Sequence, residues 1–432
     1  MEFTSGRKYK YRKNKIYLGV TPFLRRPIGI KTEKHAITFA APRSGKGAGL
    51  IIPNMFRWPH NALIIDPKGE AAEATAEYRE KKYGHKIHVL DPLGVANVPD
   101  RFRARLNILD HITPDSPRGF EDIRTIADGL IMRHDPKGGH WDNGGQAYLA
   151  GAIAHIISTM PPERRNLIEV RKAIRLMGGD LNSFIDAMAE NNAFGGLPMT
   201  GAGRLLNSGS ESSHFMSIAT TNTEWLDSPS FEKTLSGSTF SLSDLKHKKT
   251  TVYLVLPTEL LGEYGRFLRL FVQSALNAMA MGGTKGRECL FMLDEFYSLG
   301  YIEKLSKDAS AMPGYGLKIW PILHDIGQLQ KLYTPIGAET FFSSSDVQTF
   351  FGNTDQLTLE YISKMIGQRY ESGTFEINKE FVGKPLMSPR EIRAHVAKRE
   401  KDIVARRMIA FLQGDDVLSI RLKPYFKDWK FK

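Results

Sequence analysis

Two short clusters carry the residue types that handle a nucleoside triphosphate. The first is Ala40-Ala41-Pro42-Arg43-Ser44-Gly45-Lys46-Gly47, between the apolar run Ala36–Ala40 and the helical stretch GLIIPNMFRW. A loop between a strand and a helix aims backbone N–H groups and the helix N-terminus at a phosphate. Gly45 lets the backbone come close, and Lys46 has the length to reach β- and γ-phosphates. The loop departs twice from GxxxxGK[ST]. Ala40 replaces the first glycine, a small change. Gly47 replaces the hydroxyl residue that ordinarily binds Mg²⁺, so water or another side chain must fill that place. On its own, a Gly-Lys pair is most often a plain turn; strand, loop and helix together favour phosphate binding.

The second cluster is Cys289–Glu295, an apolar run ending in two adjacent carboxylates. At a strand tip, Asp294 can hold the Mg²⁺ shell while Glu295 polarises an attacking water. Without the first cluster, the same pair reads as an exposed turn after a core strand. Cys289 reads as a buried strand thiol. It is the only cysteine, which excludes an intramolecular disulfide and Cys-based zinc or iron–sulfur chemistry. There is no HExxH and no G-x-S-x-G elbow, and the histidines are scattered.

Both clusters need a scaffold that alternates strand and helix. Ala36–Ala40, Ala62–Ile65 and Lys86–Leu90 read as short buried strands, with a helix over Glu70–Tyr83 and tight Gly/Pro turns between them. That order predicts a parallel sheet with helices on its faces. From about Ile112 the pattern is helical only: Phe120–Met132, Gly145–Met160, Leu167–Leu176 and Leu181–Ala189, with breaks such as Asp135–Gly139. Alternation resumes with strands at Thr251–Leu256, Glu288–Leu293, Leu317–Ile322 and Val347–Phe351, and with helices over Thr258–Met281, Ile302–Ala311, around Gln328 and over Asp355–Ile366. Strands at Met408–Leu412 and Val417–Leu422 close the chain. The expected division is a basic tail (1–16), a nucleotide-binding domain in two parts (17–111 and 226–432) and an all-α insertion (112–225).

The chain has 432 residues, 41% apolar and 25% charged, a globular composition. Its net charge of +12 favours a polyanionic partner or an anionic membrane surface. Arg7, Lys8, Lys10, Arg12, Lys13 and Lys15 crowd the N-terminus around Tyr9 and Tyr11, a composition suited to nucleic acid, to lipid headgroups, or to a solvated tail. The most apolar stretch, Ala147–Met160, is shorter than the roughly 20 residues of a membrane span. From these residues we expect a soluble cytoplasmic protein.

These segments, in order, resemble the type IV coupling proteins of conjugation and type IV secretion systems (the TraG/TraD type). The resemblance rests on AAPRSGKGAGL at Ala40–Leu50, IDPKGE at Ile65–Glu70 and LDEFYSLGYIEKL at Leu293–Leu305. Weaker echoes are Gly314-Tyr315-Gly316, Gln328-Leu329, Gly352–Asp355 and Lys384–Arg393; His140-Trp141 is similar to a landmark of the family's helical domain. The resemblance implies an α/β, RecA-like P-loop ATPase with a central, mostly parallel sheet interrupted by an all-α domain. It implies ATP and Mg²⁺ as cofactors. Arg43, Ser44, Gly45, Lys46, Gly47 and Ala48 would hold nucleotide, with Asp66, Lys68, His324 and Gln328 near it. Asp294 would bind the metal, and Lys46 and Glu295 would be catalytic.

The same resemblance implies a homo-hexamer that recruits single-stranded DNA and relaxase and delivers them to secretion-channel components. The alternatives are an FtsK/HerA-like DNA pump and a docking adaptor with little ATPase activity. Members begin with membrane-spanning helices, and this chain begins near where they end, as a soluble variant or a fragment would. The family's arginine before Gly-Tyr-Gly is Pro313 here, and His324-Asp325 stands where a Gln-Ser pair is usual. Lys68 reads two ways: facing nucleotide or a neighbouring subunit, or pairing with Glu70 in a turn that caps a helix.

Overall fold

The computed structural model describes residues 6–133, 139–371, 382–398, 401–405, 407–412, 414 and 416–428. In chain order the strands are β1 (Ile16–Val20), β2 (Pro27–Ile30), β3 (His35–Ala40), β4 (Asn61–Ile65), β5 (Lys86–Leu90), β6 (Thr250–Leu254) and β7 (Cys289–Leu293). They continue with β8 (Leu317–Leu323), β9 (Ser345–Phe351), β10 (Gln368–Glu371), β11 (Val382–Pro385), β12 (Met408–Leu412) and β13 (Asp416–Ile420). The chain forms two compact units. One holds residues 1–60, 292–297 and 318–432; the other holds 61–291 and 298–317.

In the first unit the strand order is β13-β12-β9-β3-β8. β3 runs parallel to both β8 and β9, while β12 is antiparallel to β9 and β13. β3 is buried at every position, as a central parallel strand covered on both faces should be. Register decides what happens at its end. Phe39 pairs with Leu323 and Ala40 with Phe351, so the segments that come after β3, β8 and β9 leave the sheet at one edge. The core beside it is aromatic: Phe39 stacks on Phe350 at 5.2 Å, and Phe342 on Tyr361 at 5.0 Å. Trp320 is fully buried and donates its indole N–H to Thr38 Oγ1 at 2.8 Å, which satisfies its one polar atom.

In the second unit β7-β4-β6-β5 lie in that order, with β6 parallel to β4 and β5. Cys289 is buried and free. Between β5 and β6 the described residues form helices but no strand. The helix His140–Thr159 is apolar on nearly all sides because other helices surround it; a Cβ on Gly151 would lie 3.0 Å from the Cα of Gly201. No helix among the described residues is long and apolar enough to cross a membrane. The helical run is not a compact unit of its own. Buried Arg269, on the helix Leu261–Met281, donates to the carbonyls of Leu299 and Tyr301 and lies 3.6 Å from Asp128, tying the helices to the chain beyond β6.

The N-terminus differs from the tail expected there. Residues 1–5 lie outside the described residues, as does the Asp135–Gly138 part of the expected break. Beyond them, Tyr11 donates its N–H to Pro27 O, Lys10 bridges to Ile28, and Arg57 lies over the rings of Tyr11 and Tyr17. The β1–β2 hairpin and the β10–β11 pair are also beyond the alternating pattern, because strands of four or five residues leave too little periodicity to read.

Candidate functional site

The loop after β3 starts at Ala41 and enters a turn of π-helix, Gly47–Ile51, that runs on as the α-helix Ile52–Arg57. Pro53 sits in the first turn of that helix, where its missing N–H is harmless. The loop needs two left-handed residues, Arg43 (φ 59°) and Gly45 (φ 92°). Gly45 also leaves no room for a side chain, since a Cβ would lie 2.5 Å from Val404 Cγ1. The loop is held from outside: Ala405 donates its N–H to Ser44 O at 2.7 Å, and Lys398 Nζ donates to Arg43 O at 2.9 Å. Ser44 Oγ is buried without a partner.

Lys46 reaches from the first helical turn to Asp294 and Glu295, which follow β7 and belong to the same unit. Its Nζ lies 2.9 Å from Glu295 Oε1 and 3.4 Å from Asp294 Oδ1. The three side chains are 10%, 20% and 13% exposed, so the cluster is largely withdrawn from water. Glu295 holds a left-handed backbone (φ 51°), uncommon for a residue with a side chain, and its N–H donates to Asp294 Oδ1. Conformations of this kind concentrate at functional sites.

His324 and Gln328 complete the cluster. His324 Nε2 lies 3.4 Å from Glu295 Oε1. Gln328 Oε1 accepts the His324 N–H at 2.9 Å, and the Gln328 amide nitrogen is 3.3 Å from His324 Nδ1. Asn353, after β9, donates to the His324 carbonyl at 3.0 Å. The imidazole at 324 therefore faces the carboxylate of Glu295. Asn353 escaped the sequence reading; only the Gly352–Asp355 echo pointed near it.

The carboxylates titrate differently. Burial opposes the charge on Glu295, but the His324 and Lys46 contacts outweigh it and hold its pKa down to about 2. Burial, then the neighbouring Glu295 charge, raises Asp294 against the pull of Lys46. Burial likewise works against the Lys46 ammonium, yet the two carboxylates prevail and its pKa is raised. The lysine is thus a fixed cation and Glu295 a fixed anion, while Asp294 is the group that gains most from a further cation.

Among the described residues, no group of three or more His, Cys, Asp or Glu is placed to hold a metal ion. A single carboxylate suits Mg²⁺, which is commonly bound through one or two carboxylates, water and substrate phosphates. The donor set, with the unpartnered Ser44 hydroxyl and the helix N-terminus beside it, fits a magnesium-bound polyphosphate.

Asp66 and Lys68 lie in the second unit. Asp66 is buried, and its carboxylate accepts the Ala72 N–H at 2.8 Å inside the first turn of the helix Glu70–Tyr83. The capping role weighed for the IDPKGE turn falls to Asp66, and Lys68 is exposed. Gly69 is left-handed (φ 72°) and packs on Ala96.

A family model described as Type IV secretory system Conjugative DNA transfer matches residues 5–432. The conjugal transfer protein TraG of Escherichia coli is 27% identical over 441 residues, covering 91% of this chain and 68% of TraG. Protein VirD4 of Rhizobium rhizogenes is 27% identical over 424 residues, covering 92% of this chain and 59% of VirD4, so the chain spans well under two thirds of that relative's length. The solved bacterial conjugative coupling protein TrwBdeltaN70 superposes with a TM-score of 0.73 at 16% identity, covering 98% of this chain and 93% of that one. The plasmid coupling protein TrwB in complex with ADP and Mg²⁺ gives 0.71, also at 16% identity, covering 98% of this chain and 92% of that one. At that identity the likeness establishes the fold, the α/β, mostly parallel RecA-like P-loop class.

Proposed function

Because this chain belongs to the family described as Type IV secretory system Conjugative DNA transfer, we propose that it is the ATP-hydrolysing coupling protein of a conjugation channel. The observation that carries the reading is the convergence of Lys46 with Glu295, 249 residues away, and with the adjacent Asp294, to within 2.9–3.4 Å. Arg43, Ser44, Gly45, Lys46, Gly47 and Ala48 hold the phosphates, Asp294 holds the metal, and Gln328 sets the position of His324. ATP with Mg²⁺ supplies the energy of phosphoryl transfer to water. Lys46 then exchanges carboxylate partners for phosphate, which frees Glu295 to orient water while His324 keeps its other contact. Gly47 offers no hydroxyl to the metal, which makes Asp294 the principal protein ligand. In this reading the protein acts as a homo-hexamer at the inner membrane face, receiving relaxase and single-stranded DNA and passing them to channel components.

The test is ATP turnover with and without single-stranded DNA in wild type, Lys46→Thr and Glu295→Gln. DNA-stimulated turnover is expected in wild type, reduced at least ~10²-fold in both variants, with Glu295→Gln still binding ATP. Unchanged turnover in both variants rejects the site. Absence of turnover in a preparation that forms rings by electron microscopy favours a docking adaptor.

A further inference from the structure

Four exposed large apolar side chains lie at three places along the first unit. Phe23 (91% exposed) and Leu24 (57%) form the tip of the β1–β2 hairpin, and Ile403 (48%) and Phe426 (39%) sit in the C-terminal part of the chain. The tip is built rather than loose. Thr21 donates its N–H to Arg26 O at 2.8 Å, Arg26 returns its N–H to Thr21 Oγ1 at 3.0 Å, and Arg25 is left-handed (φ 50°). Val20 and Arg421 exchange both backbone hydrogen bonds at 2.9 Å, which fixes the tip beside the end of β13.

A cavity of about 420 Å³ opens there, and Val20, Arg25, Ile403, Arg421, Lys423 and Lys427 are among its walls. Among the described residues its one acidic wall residue is Asp402; Lys423 also lies 3.5 Å from Asp428, which is already paired with Arg57 at 2.6 Å. Exposed Lys10 bridges to Ile28 along the other edge of the hairpin and adds to the same sign of charge.

Apolar knobs around a cationic hollow match a surface with anionic phosphates above hydrocarbon. Aromatic and basic groups alone would also suit single-stranded DNA, but Leu24 and Ile403 have no π-face to stack on bases. At a bilayer boundary every part of this face has a use: the tip enters the acyl edge and the cations meet headgroups. We propose that this face docks on an anionic phospholipid surface, with Phe23 and Leu24 inserted and the Arg25–Arg421–Lys423–Lys427 hollow taking a headgroup phosphate. The inference goes beyond the nucleotide reading, while Val404 and Ala405, which brace the phosphate loop, also line the hollow.

The test is flotation of the full chain with phosphatidylcholine vesicles, with and without phosphatidylglycerol. Wild type is expected to float only with the anionic lipid. Phe23→Ser/Leu24→Ser should lower partitioning at least roughly tenfold, and Arg25→Glu and Lys427→Glu more than about fivefold each. All variants should keep wild-type binding of a fluorescent ATP analogue, which reports that the first unit is folded. Phe23→Trp should show a blue-shifted emission on adding anionic vesicles, quenched by brominated acyl chains. Equal partitioning to neutral vesicles, no partitioning, or unchanged partitioning of the tip variant overturns the proposal. So does an unshifted Trp, displacement of an oligonucleotide in place of lipid, or a change of oligomeric state as the only effect of the tip variant.

Discussion

Replacing Lys46 by methionine is the sharpest probe of the cluster, because the ammonium neutralises two neighbouring carboxylates away from water. Its Nζ is 2.9 Å from Glu295 and 3.4 Å from Asp294, and all three side chains are at most one-fifth exposed. Breaking a buried pair by removing one partner costs roughly 3–5 kcal/mol, chiefly because the remaining charge is stranded. Here the loss is softened, since Asp294 has a pKa already raised by burial and by Glu295 and can take a proton. We therefore expect about 3 kcal/mol near neutral pH. A group whose pKa is raised on folding contributes stability below its unfolded value and loses it as pH rises through the folded value. The deficit of Lys46→Met should accordingly be smaller at about pH 5 than at about pH 8. Glu295→Gln leaves Lys46 with Asp294 and should cost about 1–2 kcal/mol. The double variant strands Asp294 alone where Lys46→Met strands two carboxylates, so a coupling energy of roughly 2 kcal/mol should emerge from the cycle. Urea unfolding of the four proteins at the two pH values measures all of these. A Lys46→Met deficit below about 1 kcal/mol with no pH dependence would refute the reasoning, since it would mean that water already screens the cluster.

Two further predictions concern the second unit. His88 stacks on Phe240 at 4.1 Å with its Nε2 buried and unpartnered, and burial lowers its pKa to about 4. Between its ordinary 6.5 and about 4 the unfolded chain binds the proton first, so stability is lost as pH falls through that window. Urea midpoints of wild type should show the loss, about 2 kcal/mol after allowing for partial exposure, and His88→Phe should lack that component. Gly69→Ala puts a Cβ 2.7 Å from the Ala96 Cα at a φ of 72°. It should cost roughly 2–4 kcal/mol by urea unfolding; a neutral result would mean that the IDPKGE turn relaxes freely.

Local pattern in the sequence carries far. The helix Glu70–Tyr83 ends at Gly84, left-handed at φ 68°, where the glycine stop signal puts it. β3 and β7 were legible as short apolar runs, and so were the loop at Gly45-Lys46 and the acidic pair after β7, because burial on both faces and the need for positive φ leave marks within a few residues. Contacts across hundreds of residues leave none. That Lys46 meets Asp294 and Glu295 shows only once residues 46 and 294–295 are packed into one unit, where the register of β3 with β8 and β9 sends the segments after those strands to one edge. In that unit His324, after β8, lies 3.4 Å from Glu295. Asp66 became a helix-capping side chain because its own turn supplied an unpaired N–H first. The apolar tip and its cationic hollow bring residues 20–25 to residues 403–427. Composition and periodicity determine which elements can form; only closing the sheet decides which ends become neighbours, since hydrogen-bond pairing between strands is set by the whole core and not by any one of them.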